Sequence, residues 1–114
     1  GGLATTLIEI AHQSHMTIQI DEETLPIQTA VQTACEMLGF DPLYIANEGK
    51  AIIIIPETEV NKALATLKSH PYGKSAMRIG SVVDNSEGIV LLRTPFGTNR
   101  ILEMQSGEML PRIC

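Results

Sequence analysis

The chain contains no tryptophan, and aromatic residues make up only 4% of its 114 positions. A core built from it has to be aliphatic, filled by Ile, Leu, Val, Ala and Met. Cysteine is scarce as well. The two cysteines, Cys35 and Cys114, are too few for a disulfide framework, and neither has the spacing of a zinc site. No metal ligand set is expected. Long apolar runs are missing: the longest, "AIIII" at 51–55, has the length of a strand and is too short to span a bilayer. Basic excess is missing too. A net charge of −5 counts against a surface that tracks nucleic-acid phosphates. The opening "GGLATTLIEIAHQSH" has no basic leader and no cleavage pattern. These absences point to a cytoplasmic protein with no nucleic-acid or membrane partner. What is present, 44% hydrophobic and 18% charged residues, suits one globular domain with a real core.

Punctuation along the chain predicts the elements. Leu3, Leu7, Ile8 and Ala11 recur at helical spacing, so residues 3–14 read as a helix. A helix that opens on Gly-Gly suggests a piece of a longer chain. "MTIQI" at 16–20 alternates like a half-buried strand. Pro26 is expected to open a second helix, with Ile27, Ala30, Val31, Ala34 and Leu38 as its buried stripe and Gly39 as its terminator. After a turn at Asp41-Pro42 come two apolar segments split by "NEG", and the second, 50–55, reads as a central strand covered on both faces. Val60, Ala63, Leu64 and Leu67 mark the inner face of a third helix. "AMRIGSVVD", "GIVLLRT" and "RILEM" read as strands, the last two as a hairpin. The expected fold is α+β: a largely antiparallel mixed sheet covered by about three helices, over 1–104. An irregular C-terminal tail follows at 105–114.

Few residues are candidates for chemistry. Cys35 falls four residues after Val31 on the inner side of helix two and reads as packing. His12, His15 and His70 have no Cys or carboxylate at ligand spacing and read as ordinary boundary histidines. "NEGK" at 47–50 is either a hairpin turn or a functional carboxylate, Glu48, beside a permissive glycine and Lys50. Gly1 and Gly2 are either a remnant of a glycine-rich phosphate loop at a helix N-terminus or a cut end. The tail "QSGEMLPRIC" offers most. Gly107 and Pro111 keep it from continuing a strand or helix, and its eight residues from Gly107 span roughly 25 Å when extended. Only a thiolate is a good nucleophile. The α-carboxylate beside Cys114 opposes the thiolate and Arg112 favours it. Prenylation needs three residues after the cysteine. On spacing alone, the terminal thiol is balanced between accident and use.

"GGLATTLIEIA", "ACEMLGFDPLYIANEGK" and the terminal "LPRIC" resemble the C-terminal domain of the HypE family of hydrogenase maturation proteins. That family is similar to aminoimidazole ribonucleotide synthetase, selenophosphate synthetase and thiamine-monophosphate kinase. The resemblance covers essentially the whole chain, and "PRIC" is its most specific part. It implies a carbamoyl dehydratase in which Cys114 receives a carbamoyl group from the carbamoyltransferase HypF. ATP then drives dehydration of the S-carboxamide to a thiocyanate, and cyanide passes to iron on a HypC–HypD complex. Glu48 is the implied base, with Asn47 orienting it, and Gly107, Pro111 and Arg112 support the arm. In this group an N-terminal domain, expected ahead of Gly1, carries most ATP and Mg²⁺ ligands and the homodimer contacts. The fragment alone is therefore expected to be inactive. Two other readings stay open: another ATP-dependent enzyme of the group, and a non-enzymatic module with a docking tail.

Overall fold

The computed structural model describes residues 1–105. Its elements, in order, are α1 (Gly2–Ser14), β1 (Thr17–Asp21), α2 (Thr29–Leu38), α3 (Val60–Lys68), β2 (Gly80–Val83), β3 (Val90–Arg93) and β4 (Asn99–Leu102). Short 3-10 turns occupy Glu22–Thr24, Pro42–Tyr44, Glu57–Glu59 and Pro71–Gly73. The strand order is β2-β1-β3-β4. β1 pairs antiparallel with β2 and parallel with β3, and β3 pairs antiparallel with β4. This is the mixed, largely antiparallel α+β sheet that the sequence predicts, with the expected final hairpin. The hairpin turns through Gly97 at φ 82, and Thr94 N–H donates to the Thr98 carbonyl at 2.8 Å.

Register explains the core. Ile18 faces Val90, which faces Leu102, and Ile20 faces Leu92. All five are buried. These two aliphatic rows lie on one face of the sheet because strand side chains alternate with a period of two. α1 contributes Ala4, Leu7 and Ala11 to the same cluster, three and four residues apart on one helical face. The small alanines let the helix come close to the rows. Each fully buried Leu or Ile contributes roughly 1.5–3 kcal/mol. The one buried polar residue among the described residues, Thr17, donates its hydroxyl to the Asn85 carbonyl at 3.1 Å. α1 ends where His15 enters the left-handed region at φ 55, and Met16 N–H closes back on the Ala11 carbonyl at 3.3 Å. Gly39 ends α2 in the same way, with Phe40 N–H on the Cys35 carbonyl at 2.9 Å, as its position in the sequence predicts.

Five expectations fail. Residues 50–55 are not a central strand; they lie outside the sheet, and Ile53 is 55% exposed. β1 and β3 fill the two central positions, each paired on both sides. A continuous apolar run specifies apolar surroundings and not a pairing partner. The apolar segment before "NEG" is not a strand either. It is the Pro42–Tyr44 turn, capped by the Asp41 carboxylate, which accepts from Leu43 N–H at 3.0 Å. "NEG" is therefore not a hairpin, although Gly49 does need its positive φ of 75. Finally, α2 starts at Thr29, not Pro26, because Gln28 is still extended at ψ 143. Its stripe is not buried: Ala30, Val31, Ala34 and Leu38 are exposed, and Cys35 alone is buried on that helix, at 4% exposure. The packing role of Cys35 holds.

The contrast between α1's partners and α2's stripe is measurable by chemical denaturation of the chain. Leu92→Ala should cost about 2–5 kcal/mol, because it empties a fully buried site. Leu38→Ala, at a position 66% exposed, should change stability by no more than about 0.5 kcal/mol.

Candidate active site

Two segments meet at the start of α1, the Gly1–Gly2 pair and the stretch 43–46, and the Tyr44 side chain ties the second to the end of β4. Gly2 has φ 79, and a Cβ there would lie 2.6 Å from the Leu43 carbonyl oxygen and 2.7 Å from that of Ile45. A Cβ on Gly1 would stand 3.1 Å from the Ala46 Cβ. The glycines thus let one backbone lie directly on another, a contact no side chain permits. The sequence offers a phosphate-loop remnant or a cut end for this pair, and the structure adds a packing role at Gly2.

The consequence is a placement. Asn47 and Glu48 leave the contact immediately after Ala46, so the loop that carries the candidate carboxylate starts at the N-terminal end of α1. Both residues are exposed. The Asn47 amide donates to the Ile45 carbonyl at 3.3 Å and so holds its own loop. The Glu48 carboxylate is open to solvent and to a ligand. α1 has no side-chain cap and no acidic residue in its first turn. No side chain neutralises this helix end, and its dipole favours an anion there.

The 41–46 segment is also tied to the last strand. The Tyr44 hydroxyl donates to the Glu103 carbonyl at 2.7 Å, and Arg100 lies 3.7 Å from the Asp41 carboxylate. The ion pair is half exposed and adds little energy. The phenol bond is better placed, because the Tyr44 ring packs against the core cluster. Burial pushes the Tyr44 phenol above its ordinary value of 10.0. Sequence reasoning missed Tyr44, Asp41, Arg100 and Glu103. The Asx turn at Asp41-Pro42 was readable; a partner 59 residues away from Tyr44 was not.

On the far side of the 41–44 turn lies an open cleft of about 500 Å³, lined in part by Glu22, Phe40 and Arg100. Among the described residues, Asp41 and Arg100 of the ion pair line it, and Gly1, Gly2, Asn47 and Glu48 do not. Gly107, Pro111, Arg112 and Cys114 fall outside the described residues. His12 and His15 are exposed, and His70 accepts Tyr72 N–H through Nδ1 at 3.1 Å, capping a turn. Among the described residues, no three His, Cys, Asp or Glu side chains gather as a metal site. No helix among them is long and apolar enough to cross a membrane.

Two measurements test this geometry. Gly2→Ala should destabilise the chain by more than Gly39→Ala. Both residues have φ above +70, but a Cβ at Gly39 meets nothing within 4 Å, so its cost is left-handed strain alone, about 1 kcal/mol. In Tyr72→Phe, Tyr44 is the sole remaining tyrosine, and its ultraviolet phenolate transition should fall above pH 10.0. The folded state favours the neutral phenol. That contribution is fully present below the unfolded value near 10 and is lost as pH rises through the folded one.

Residues 1–93 match the family described as AIR synthase related protein, C-terminal domain. The carbamoyl dehydratase HypE of Cupriavidus necator is 47% identical over the whole of this chain, which covers 32% of that protein. A crystal structure of hydrogenase maturation protein HypE in complex with ATP superposes with a TM-score of 0.90 at 47% identity, covering 100% of this chain and 35% of that one. A crystal structure of a HypE–HypF complex superposes with a TM-score of 0.85 at 43% identity, over 92% of this chain and 34% of that one. The chain therefore spans about a third of the length of the curated relatives it matches. On this evidence the chain belongs to the AIR synthase related C-terminal domain family and corresponds to the C-terminal domain of the HypE hydrogenase maturation proteins.

Proposed function

We propose that this domain supplies the carrier thiol and the base of an ATP-dependent carbamoyl dehydratase acting in [NiFe]-hydrogenase maturation. The observation that carries the reading is the Gly2 contact. It starts the loop that carries Glu48 beside the first residues of α1, in a chain 47% identical over all of its 114 residues to about a third of a carbamoyl dehydratase HypE. In this reading 1–104 is the domain and 105–114 is the catalytic tail that carries the thiol of Cys114, with Gly107, Pro111 and Arg112 supporting it.

The chemistry follows from the leaving group. HypF transfers a carbamoyl group to the Cys114 sulfur, giving S–C(=O)–NH₂. The carboxamide oxygen cannot leave as it stands. Transfer of the γ-phosphoryl group of ATP to that oxygen gives S–C(=NH)–OPO₃²⁻, ADP and a released proton. Glu48 then removes the remaining N–H proton as the C–O bond breaks, leaving S–C≡N and inorganic phosphate. A positioned carboxylate is suited to this transfer. Asn47 keeps the Glu48 loop in place. Gly1 and Gly2, at the start of α1, lie on the phosphate side. Mg²⁺ and most ATP ligands belong to the remaining two thirds of the protein, which also forms the homodimer. The described residues of this chain assemble no metal site of their own, and the domain alone is inactive. Cyanide then passes from Cys114 to the iron of a HypC–HypD complex in the cytoplasm.

The test uses the full-length protein with the carbamoyltransferase, carbamoyl phosphate and ATP. Cys114→Ala should acquire no carbamoyl adduct by intact mass; a persistent adduct sinks the reading. Glu48→Gln should keep the adduct and slow thiocyanate formation by roughly 10²–10⁴-fold. Normal turnover in that variant removes Glu48 as the base. Full maturation with Cys114→Ser would make the tail a docking segment instead.

A further inference from the structure

The loop that carries Glu48 has no ladder or helix to hold it. Among the described residues, no backbone–backbone hydrogen bond involves residues 46–55. The Asn47 amide bonds to the Ile45 carbonyl, within the base of the same loop. Two side-chain contacts bracket the stretch. At the upstream end the Tyr44 hydroxyl donates to the Glu103 carbonyl at 2.7 Å. At the downstream end both Glu57 carboxylate oxygens accept from the Arg78 guanidinium, at 2.6 and 2.8 Å. Both anchors are themselves held. The Tyr44 ring packs against the core, and next to Arg78 the Ile79 carbonyl accepts Asp21 N–H at 2.9 Å. The anchors sit at opposite edges of the sheet: Glu103 follows β4 and Arg78 precedes β2, the two outer strands. They also sit at opposite ends of it. Leu102 shares a row with Val90, Ile18 and Val82, and Gly80 shares one with Ile20, Leu92 and Arg100. Glu103 lies past the first row and Arg78 past the second. The stretch from Tyr44 to Glu57 is thus a strap tied to diagonal corners of the sheet, and it carries Glu48.

We propose that Tyr44 and Arg78 are positioning residues that pin the two ends of this strap and so set where Glu48 stands. This inference rests on the reading of Glu48 as the base, given above. Thirteen residue steps separate Tyr44 from Glu57 and can reach about 45 Å, whereas the three strand spacings between β2 and β4 amount to about 14 Å. The strap has slack, so its path depends on how its ends are fixed. Gly49, at φ 75, bends the backbone beside Glu48. A general base has to stand within hydrogen-bond reach of the proton it removes, and small displacements are costly. The Arg78–Glu57 pair is exposed, and most such pairs add little to stability. Its two-pronged geometry fixes direction as well as distance, which is what a pin requires. In this role neither Tyr44 nor Arg78 touches substrate or ATP, and both act through Glu48.

The test uses the full-length protein. Tyr44→Phe keeps the ring and removes only the hydroxyl, and Arg78→Gln removes the charge. Both variants should match wild type in carbamoyl loading and in the ATP concentration for half-maximal rate. The single-turnover rate of thiocyanate formation should fall roughly two- to ten-fold in Tyr44→Phe and roughly two- to five-fold in Arg78→Gln. The charge swap, Glu57→Arg with Arg78→Glu, should recover most of the rate lost in Arg78→Gln. An unchanged rate in either single variant overturns the two-ended strap, as does a swap that recovers nothing. A fall matched by weaker loading or a weaker ATP response overturns it too, since that would place the residue in the ATP site or in the fold at large. A second measurement needs no turnover. With native reactive cysteines replaced, nitroxides on Lys50→Cys and on Glu9→Cys, an exposed position of α1, report the strap against the domain. Their distance distribution should be narrower in the otherwise wild-type protein than with Tyr44→Phe or Arg78→Gln added; identical distributions overturn the pins and leave Glu48 as the base. Normal turnover in Glu48→Gln would instead remove the base, and with it the catalytic role of the pins, while the distances still show whether they hold the strap.

Discussion

The close seating of α1 on two aliphatic rows of the sheet is the contact on which the rest depends. Ala4, Leu7 and Ala11 meet Ile18, Ile20, Val90 and Leu92, and Leu102 closes the outer row. Alanine at two of the three helical positions keeps the helix near the strands, and close packing of aliphatic side chains makes that distance unforgiving. Once the helix axis is set, its first residue is set as well. The Gly1–Gly2 start then fixes the 43–46 backbone, and that backbone fixes where Asn47 and Glu48 emerge.

The site is thus a by-product of packing and not a pocket built around a ligand. A helix end without a side-chain cap and the loop of an exposed carboxylate come together because two backbones lie against each other there, and the Tyr44 hydroxyl joins the same segment to Glu103. The Glu48 carboxylate is exposed, and its loop starts beside the N-terminal end of α1, where the helix dipole favours an anion. The cleft beside the 41–44 turn shares Asp41, Leu43 and Arg100 with this neighbourhood, but Gly2, Asn47 and Glu48 do not line it.

Much of the fold was legible. Glycine at 39 ended α2 as predicted, and alternation placed β1 within a residue of its observed start. The FGTN turn located the last hairpin. These signals are local, and local backbone chemistry decides them. The run at 51–55 and the stripe of α2 misled because apolarity was read as burial within this chain. Ile53 and Leu38 are more than half exposed. Hydrophobic pattern records that a segment avoids water, but not which surface covers it. Glu48 was legible as a carboxylate next to a glycine; its relation to Gly2 was not, since the contact joins residues more than forty positions apart.

The sequence alone determined the aliphatic core, the α+β class, the helix stops and the short list of polar residues capable of chemistry. Each follows from side-chain type, period or backbone freedom within a few residues. Only the tertiary structure decided that β1 lies parallel to β3, that Gly2 carries the weight of the 43–46 backbone, and that Tyr44 reaches Glu103. These relations depend on where distant segments come to rest once the core has closed, and no local pattern encodes that position.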